Sequence, residues 1–309
     1  MPLNTSLTRR DAAEAGFSLI ELMVTVVVLM IACGVTVRGV LDLARVSDVV
    51  NNRTDMHNGV RNATELLTQE VGQAGKIALP ANVLTTATAA AGDTTITVSS
   101  TAGMFVGELL ALDTGANQET ITVAAANGGT ITTADPLIKD HNAANVPVTA
   151  PGGFSAGIVP TNMANGSTGT VLKIFGDING DRQMVYVEYR CDIGTGRLYR
   201  NAMPFTANAK PAPTVEQILI DNLVANPDGT PCFTYQSQTV TGITFVLDVA
   251  ITLTVQTQTR DPITRQFQTE TKALLNVSPR NVFNSWQHAG LGLRNRIQPI
   301  PPSVQNLLP

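Results

Sequence analysis

Cysteine, histidine, aromatic and charged residues are all scarce in this chain, and each scarcity excludes something. Three cysteines are too few for a disulfide-framed scaffold or a four-thiolate zinc site, and no Cys-x-x-Cys pair occurs. The histidines are His57, His141 and His288, with no His-Glu-x-x-His among them, so few general bases are on offer. No phosphate-cradling Gly-x-x-x-x-Gly-Lys-Ser/Thr loop or dinucleotide fingerprint is present, so nucleotide hydrolysis is not written here. Charged residues are 14%, low for a soluble cytosolic protein. The net charge of −4 gives no electrostatic footprint for nucleic acid. Thr, Asn, Ala and Gly are abundant instead, which suits exported β-rich surfaces that pack against neighbours. The 309 residues suffice for one membrane span plus one large or two small domains.

One long apolar run dominates what is there. Residues 17–37 carry a single charge, Glu21. As a helix at ~1.5 Å per residue the run is roughly 31 Å long, which matches the ~30 Å hydrocarbon core of a bilayer. Its many Val and Ile residues form helix poorly in water, but in lipid a single span has no other way to bond its backbone. Arg9 and Arg10 precede it, which predicts a cytoplasmic N-terminus and export of the rest. Glu21 costs on the order of a few kcal/mol in such a place and asks for a function.

The junction Gly16-Phe17-Ser18-Leu19-Ile20-Glu21-Leu22-Met23 resembles the type IV prepilin signal. That signal is shared by pilins, minor pilins and the pseudopilins of type II secretion. The resemblance implies cleavage after Gly16 by a prepilin peptidase, N-methylation of Phe17, and a subunit-docking role for Glu21. After that cut Glu21 is the fifth residue, and the freed α-amine of a neighbouring copy is a natural cation for it. An ordinary signal anchor that happens to carry a glutamate is the alternative. The partners implied are other pilin subunits, the peptidase/N-methyltransferase, the inner membrane and an assembly platform, with passage to the pilus or cell surface.

The rest divides by pattern. Residues 1–16 are leader, outside any fold. Residues 17–79 read as one long N-terminal helix, with 17–37 in the membrane. Val46, Val49, Met56, Val60, Ala63, Leu67, Val71 and Ala74 recur mostly at steps of three and four, one apolar stripe. Gly75 and Pro80 stop it, and Gly34 and Gly39 are places where it can bend. Residues 81–150 alternate short β-type runs, at 93–98, 109–112, 119–124 and 130–133, with turn residues. Gly92-Asp93-Thr-Thr-Ile-Thr-Val98, Val106-Gly107-Glu108, Asp113-Thr114-Gly115, Glu119, Pro136-Leu137 and His141 resemble a small β module found in bacterial and phage surface proteins. That implies a binding or spacing insert; strands of the main sheet are the alternative.

Residues 151–279 read as an antiparallel β domain, after a Gly- and Pro-rich loop at 151–169. Strands are expected at 170–175, 183–191, 197–200, 215–223, 232–236 and 267–277. The clearest is 243–255, where Ile243, Phe245, Leu247, Val249, Ile251, Leu253 and Val255 share one face. Its apolar side is the receptor for the helix stripe, giving an α+β fold. Residues 280–309 form the C-terminal tail, and the proline-rich stretch from 294 is expected to be flexible or extended. Val187-Glu-Tyr-Arg190, Gly196-Arg-Leu-Tyr-Arg200, Phe233-Thr-Tyr235, the long strand and Ser278-Pro-Arg-Asn281 resemble PilW-like minor pilins and the related J-type pseudopilins.

Three constellations could carry chemistry. Cys191 and Cys232 fall in the exported part, where a disulfide and two free thiols both remain open. Gly153-Phe-Ser155-Ala-Gly157 matches a hydrolase elbow but lacks the strand before and helix after, so no catalysis is expected. Asp177, Asn179 and Asp181, with Glu188, fall at EF-hand-like spacing. Position 6 is Arg182 in place of glycine, and a strand carries Glu188 away. A small Ca²⁺ site from Asp177, Asn179 and Asp181 therefore stands against a polar hairpin turn at Asn179-Gly180. No other cofactor is expected.

Overall fold

The computed structural model describes residue 16 and residues 18–142, 144–210, 217–262 and 264–309. The leader positions 1–15, with Arg9 and Arg10, lie outside the described residues, as do Phe17 and the first two positions of the strand expected from 215. The chain divides into two compact units, 1–52 and 53–309, and the division falls inside helix α1 (Leu19–Gln73).

In the first unit α1 is helical through both Gly34 and Gly39. The two threonines of the apolar run fold back on their own helix. Thr25 Oγ1 donates to Leu22 O at 2.9 Å, and Thr36 Oγ1 to Ala32 O and Cys33 O at 3.0 and 2.9 Å. Each hydroxyl is thereby satisfied with no outside partner, as lipid requires. Large apolar side chains are exposed from Leu19 to Val50. The most apolar 18-residue window has a mean hydropathy of 2.5 and none of it is buried.

In the second unit the stripe goes inside. Met56, Val60, Ala63, Leu67, Val71 and Ala74 are buried together with Ile158, Ile174, Val187, Val249, Ile251 and Leu253. Fully burying one such leucine contributes about 1.5–3 kcal/mol, so this face holds the helix in place. After Gln73 the chain turns at Gly75, whose φ of +81° favours glycine. Asn281 Nδ2 donates to Gln73 O at 3.1 Å, satisfying a carbonyl the ending helix leaves free.

Residues 83–149 build a sheet of their own. Its strands are β1 (Val83–Leu84), β2 (Thr95–Thr97), β3 (Leu109–Leu112), β4 (Glu119–Asn127), β5 (Thr130–Thr133) and β6 (Pro147–Thr149), in the order β1-β6-β3-β4-β5-β2. Leu79, Ile96, Leu110, Leu112, Ile121, Val123, Ile131 and Val148 fill its core. Threonines alternate with these apolar residues, as a half-buried sheet requires.

The loop expected at 151–169 is instead largely interior. Its β7 (Gly153–Phe154) and the following Ala156, Ile158 and Val159 are buried. The reason is a glycine junction. A Cβ on Gly157 would stand 2.2 Å from Gly75 Cα, and one on Gly153 2.9 Å from Gly75 O. Without side chains the backbones lock: Phe154 N–H donates to Gly75 O at 2.8 Å, and Gly75 N–H to Phe175 O at 2.9 Å.

The remaining strands form two antiparallel sheets over the shared core. β8 (Val171–Gly176), β9 (Val185–Asp192), β10 (Arg197–Pro204) and β11 (Gln217–Ile220) follow one another in order. In the second sheet β12 (Leu223–Val224) and β13 (Phe233–Val240) occupy one edge of β14 (Ile243–Gln256), and β15 (Thr269–Val277) the other. The hairpin expected at Asn179-Gly180 joins β8 and β9, which pair as far as Gly176 and Val185, and the left-handed positions in its connection are Gly180 and Arg182.

The expectation of a loose tail is overturned. α2 (Arg280–Gly290) is followed by β16 (Ile297–Gln298), parallel to β7, and by α3 (Pro302–Leu307). Val304, Leu307 and Leu308 pack with Phe154, Phe175 and Tyr186. The prolines stop regular hydrogen bonding but leave these leucines and the valine free to be buried, and Pro302 sits where a helix start tolerates it.

Candidate functional site

Ser18 opens α1. Its Oγ accepts the Ile20 N–H at 3.3 Å and its carbonyl the Leu22 N–H at 3.1 Å. Glu21 stands three residues later, the Ser-x-x-Glu spacing of a helix start, in the first turn, where unpaired N–H groups favour negative charge. No hydrogen bond or ion pair reaches its carboxylate among the described residues. Gly16 is exposed, with nothing within 4 Å of its Cβ position. The site is thus an accessible backbone position, then an acid at the head of a wholly exposed apolar helix. Such a surface is stable only in lipid or among similar helices.

The other sequence-derived residues have structural surroundings. Cys191 and Cys232 are joined, Cα–Cα 6.5 Å, and are both buried. The bond ties β9 of one sheet to the chain entering β13 of the other. Cys33 is free and exposed.

Asp177 and Asp181, two of the residues expected at a Ca²⁺ site, are engaged by groups of the protein itself. Asp177 is fully buried; Lys76 Nζ stands 2.7 Å from its Oδ2, and Arg182 N–H donates to its Oδ1 at 3.1 Å. Asp181 Oδ1 accepts the Gln183 N–H at 2.9 Å. Glu188 accepts from Tyr186 Oη at 2.9 Å and Lys210 Nζ at 2.6 Å. A lysine already supplies the positive charge, and the carboxylate has no open face for a second cation. No group of three or more His, Cys, Asp or Glu is arranged for a metal among the described residues.

Gly153 and Gly157 of the hydrolase-like pattern belong to the glycine junction, which explains both without catalysis. The histidines lie on separate elements: His57 on α1 paired with Glu270, His288 in α2, and His141 in the inserted sheet.

Two polar clusters escaped sequence reasoning. Glu70 of α1 is buried and takes Arg200 Nε and Nη2 at 3.1 and 2.5 Å on Oε1, and Tyr189 Oη at 2.5 Å on Oε2. Burial works against the Arg200 charge, but the hydrogen bonds and charge of Glu70 outweigh it and hold the guanidinium above its ordinary value. Burial, then Glu70, push the Tyr189 hydroxyl up. A buried ion pair adds little net stability, but this one fixes which turn of α1 faces β9 and β10. The signal was an acid one turn after Leu67, beside the apolar stripe.

The second cluster is in the inserted sheet. His141 is buried; its Nδ1 lies 3.0 Å from Asp113 Oδ2 and its Nε2 2.7 Å from Glu119 Oε1. Burial opposes its charge, yet the bonds to Glu119 and Asp113 outweigh burial and raise its pKa. The bond to His141, then the Thr114 N–H, lowers that of Asp113. With both ring nitrogens taken by carboxylates, His141 offers no free base. These residues all belong to the module motif, but spacing alone did not show that they converge.

Comparison with known proteins bears on the first of these sites. A family model described as the prokaryotic N-terminal methylation motif matches residues 11–37. No curated protein and no solved structure matches the chain. The matched stretch holds Gly16, Phe17 and Glu21 and runs to the end of the apolar segment. The match is thus to a prepilin-type processing motif, of the kind that type IV pilins and pseudopilins carry, and it leads into a helix long and apolar enough to cross a membrane.

Proposed function

We propose that the chain is a minor pilin of the PilW-like kind, a structural subunit of a type IV pilus or related filament. One observation carries this reading. A methylation motif leads without interruption into a helix whose first part is wholly exposed and apolar and whose last part is buried on antiparallel sheets. Such a helix has two stable settings for its first part, the bilayer and a bundle of like helices. Moving between them exposes little apolar surface to water in either state. The N-terminus is cytoplasmic and the β-rich part is exported from the inner membrane. Cleavage after Gly16 and methylation of Phe17 precede assembly, and Glu21 docks on the α-amine of a neighbouring subunit.

Intact-mass and N-terminal analysis of the protein from native membranes, with and without the peptidase, tests this. A mature chain beginning at methylated Phe17 is expected. A chain that keeps residues 1–16 in the presence of the peptidase would overturn it.

The separate sheet and core of residues 83–149 favour a second role, binding at the cell surface. Deleting 81–150 would then abolish surface attachment while leaving the subunit in its filament. Attachment that survives the deletion would remove this reading.

A further inference from the structure

Residues 294–309 reach both parts of the second unit. Gln298 is fully buried. Its Oε1 accepts the Leu109 N–H at 3.0 Å, and its Nε2 donates to Leu109 O at 2.8 Å and Pro151 O at 2.9 Å. Every polar valence of that amide group used for pairing is directed at backbone, 189 residues away in the case of Leu109. Asn295 Nδ2 stands 3.3 Å from Thr120 Oγ1 on β4. On the other side, β16 pairs with β7. Val304, Leu307 and Leu308 enter the cluster that joins Phe105, from the inserted sheet, to Phe154, Phe175, Tyr186, Met203 and Phe205. The buried Lys173 ammonium donates to Leu308 O and, at 2.9 Å, to Asn165 O.

The inserted sheet pairs with no strand of the other sheets among the described residues. Its covalent crossings are two, near residues 76–82 and 150–153. Arg182 braces the first, donating from Nε to Leu79 O at 3.0 Å and from Nη2 to Asn82 Oδ1 at 3.1 Å.

We infer that residues 294–309 are a clasp that locks the inserted module onto the β domain. With the clasp closed the module is a stiff arm at a fixed angle to the helix-bearing domain. With it open the module stays folded on its own core and is held by its two crossings and by the contact of Phe105 with Phe154 and Phe205, which the clasp residues no longer back. The geometry suits this division: the module's core residues come from 79–148, the clasp adds the amide of Gln298, the reach of Asn295 and the side chains of Val304, Leu307 and Leu308 in the cluster around Phe105, and Phe105 itself also meets the Phe154 and Phe205 rings of the β domain.

Hydrogen exchange read by mass spectrometry on the full-length, detergent-solubilised protein tests the clasp. Two variants are compared with the parent, Gln298→Ala and Leu307→Ala. Each is expected to speed exchange about tenfold in peptides covering 105–109, 76–82 and 150–153, while β4, β5, β9 and β14 keep their protection. Unchanged exchange at the crossings in Gln298→Ala would overturn the clasp. So would faster exchange spread evenly over module and β domain in that variant, since the segment would then be part of one undivided core.

Discussion

Acids in the inserted module differ by what faces them. Asp113 and Glu119 meet His141, whereas Glu108 meets only backbone. Glu108 is fully buried; its Oε2 accepts the Phe105 N–H at 3.2 Å, and its Oε1 is buried without a partner. Burial pushes its carboxyl up to about 8, and the Phe105 N–H works against that more weakly. The folded protein therefore holds this proton more tightly than the unfolded chain. Stability is unaffected below the ordinary value of 4.5, declines as pH rises from there to about 8, and is level above. The raised pKa of His141 acts in the same direction, its contribution being complete below 6.5 and lost as pH climbs through the folded value. The lowered pKa of Asp113 acts oppositely, adding stability above 3.8 that is lost as pH falls through its folded value. Thermal unfolding of the full-length protein across this range should show a decline toward pH 8, and Glu108→Gln should flatten it. An unaltered slope in that variant would mean that Glu108 is already ionised in the fold. At this scale the sequence was partly legible. Gly16, Phe17 and Glu21 are contiguous and announce themselves. Gly153 and Gly157 looked like a catalytic signature because a pattern of glycines does not say whether a substrate or the chain's own Gly75 comes close. Glu70 needed a partner 130 residues away, which no local window contains.

Elements were easier to read where one periodicity ran long enough. The expected single face of β14 does not extend to Phe245 and Leu247: a bulge at that point turns the strand over, so that these two pack with Val282 and Ala289 of α2 while Val246 enters the main core. The stripe from Met56 to Ala74 and the alternation from Val249 to Val255 of β14 each reflect a single buried face, and both meet in one core. Leu67 is at its centre, with no exposed surface. Leu67→Ala should lower stability by about 2–5 kcal/mol, because the cavity adds to the lost transfer energy. Denaturant unfolding of the detergent-solubilised protein measures this. A loss under about 1 kcal/mol would mean that the helix is not held by this face. Leu66, next along the helix and only half-buried, serves as the control position. The segments that misled are those where burial is set by distant chain. Residues 151–169 look like a loop by composition, yet the backbone is drawn inside by close glycine contacts. Residues 294–309 lack periodicity because β16 and α3 are too short to show one. Their large buried apolar side chains, Ile297, Val304, Leu307 and Leu308, were the remaining trace.

For the whole molecule, the proposed function makes Glu21 the connection between fold and assembly. The carboxylate sits at the head of an exposed apolar helix and has no partner among the described residues. In a bilayer it can stay near the interface, where its cost is smallest. In a bundle of like helices it is drawn into an apolar surrounding, and the cost returns unless a cation meets it. In a chain cut after Gly16, as proposed, the α-amine at Phe17 of a neighbour is the nearest group of that charge along the sequence. A pair of this kind contributes less to net affinity than to register, because desolvation offsets much of the attraction. Shifting one helix along another by a single turn, about 5.4 Å, would leave both charges unmatched. Glu21→Ala should therefore leave cleavage after Gly16 intact and cut incorporation into sheared filaments about tenfold or more, measured against the membrane pool by immunoblot. Glu21→Gln should fall with it, since the amide keeps the shape and loses the charge. Incorporation at the parental level in both variants would assign Glu21 to the helix start alone, in the Ser18-x-x-Glu21 arrangement. Loss of cleavage in either would place its role at the peptidase, one step before assembly.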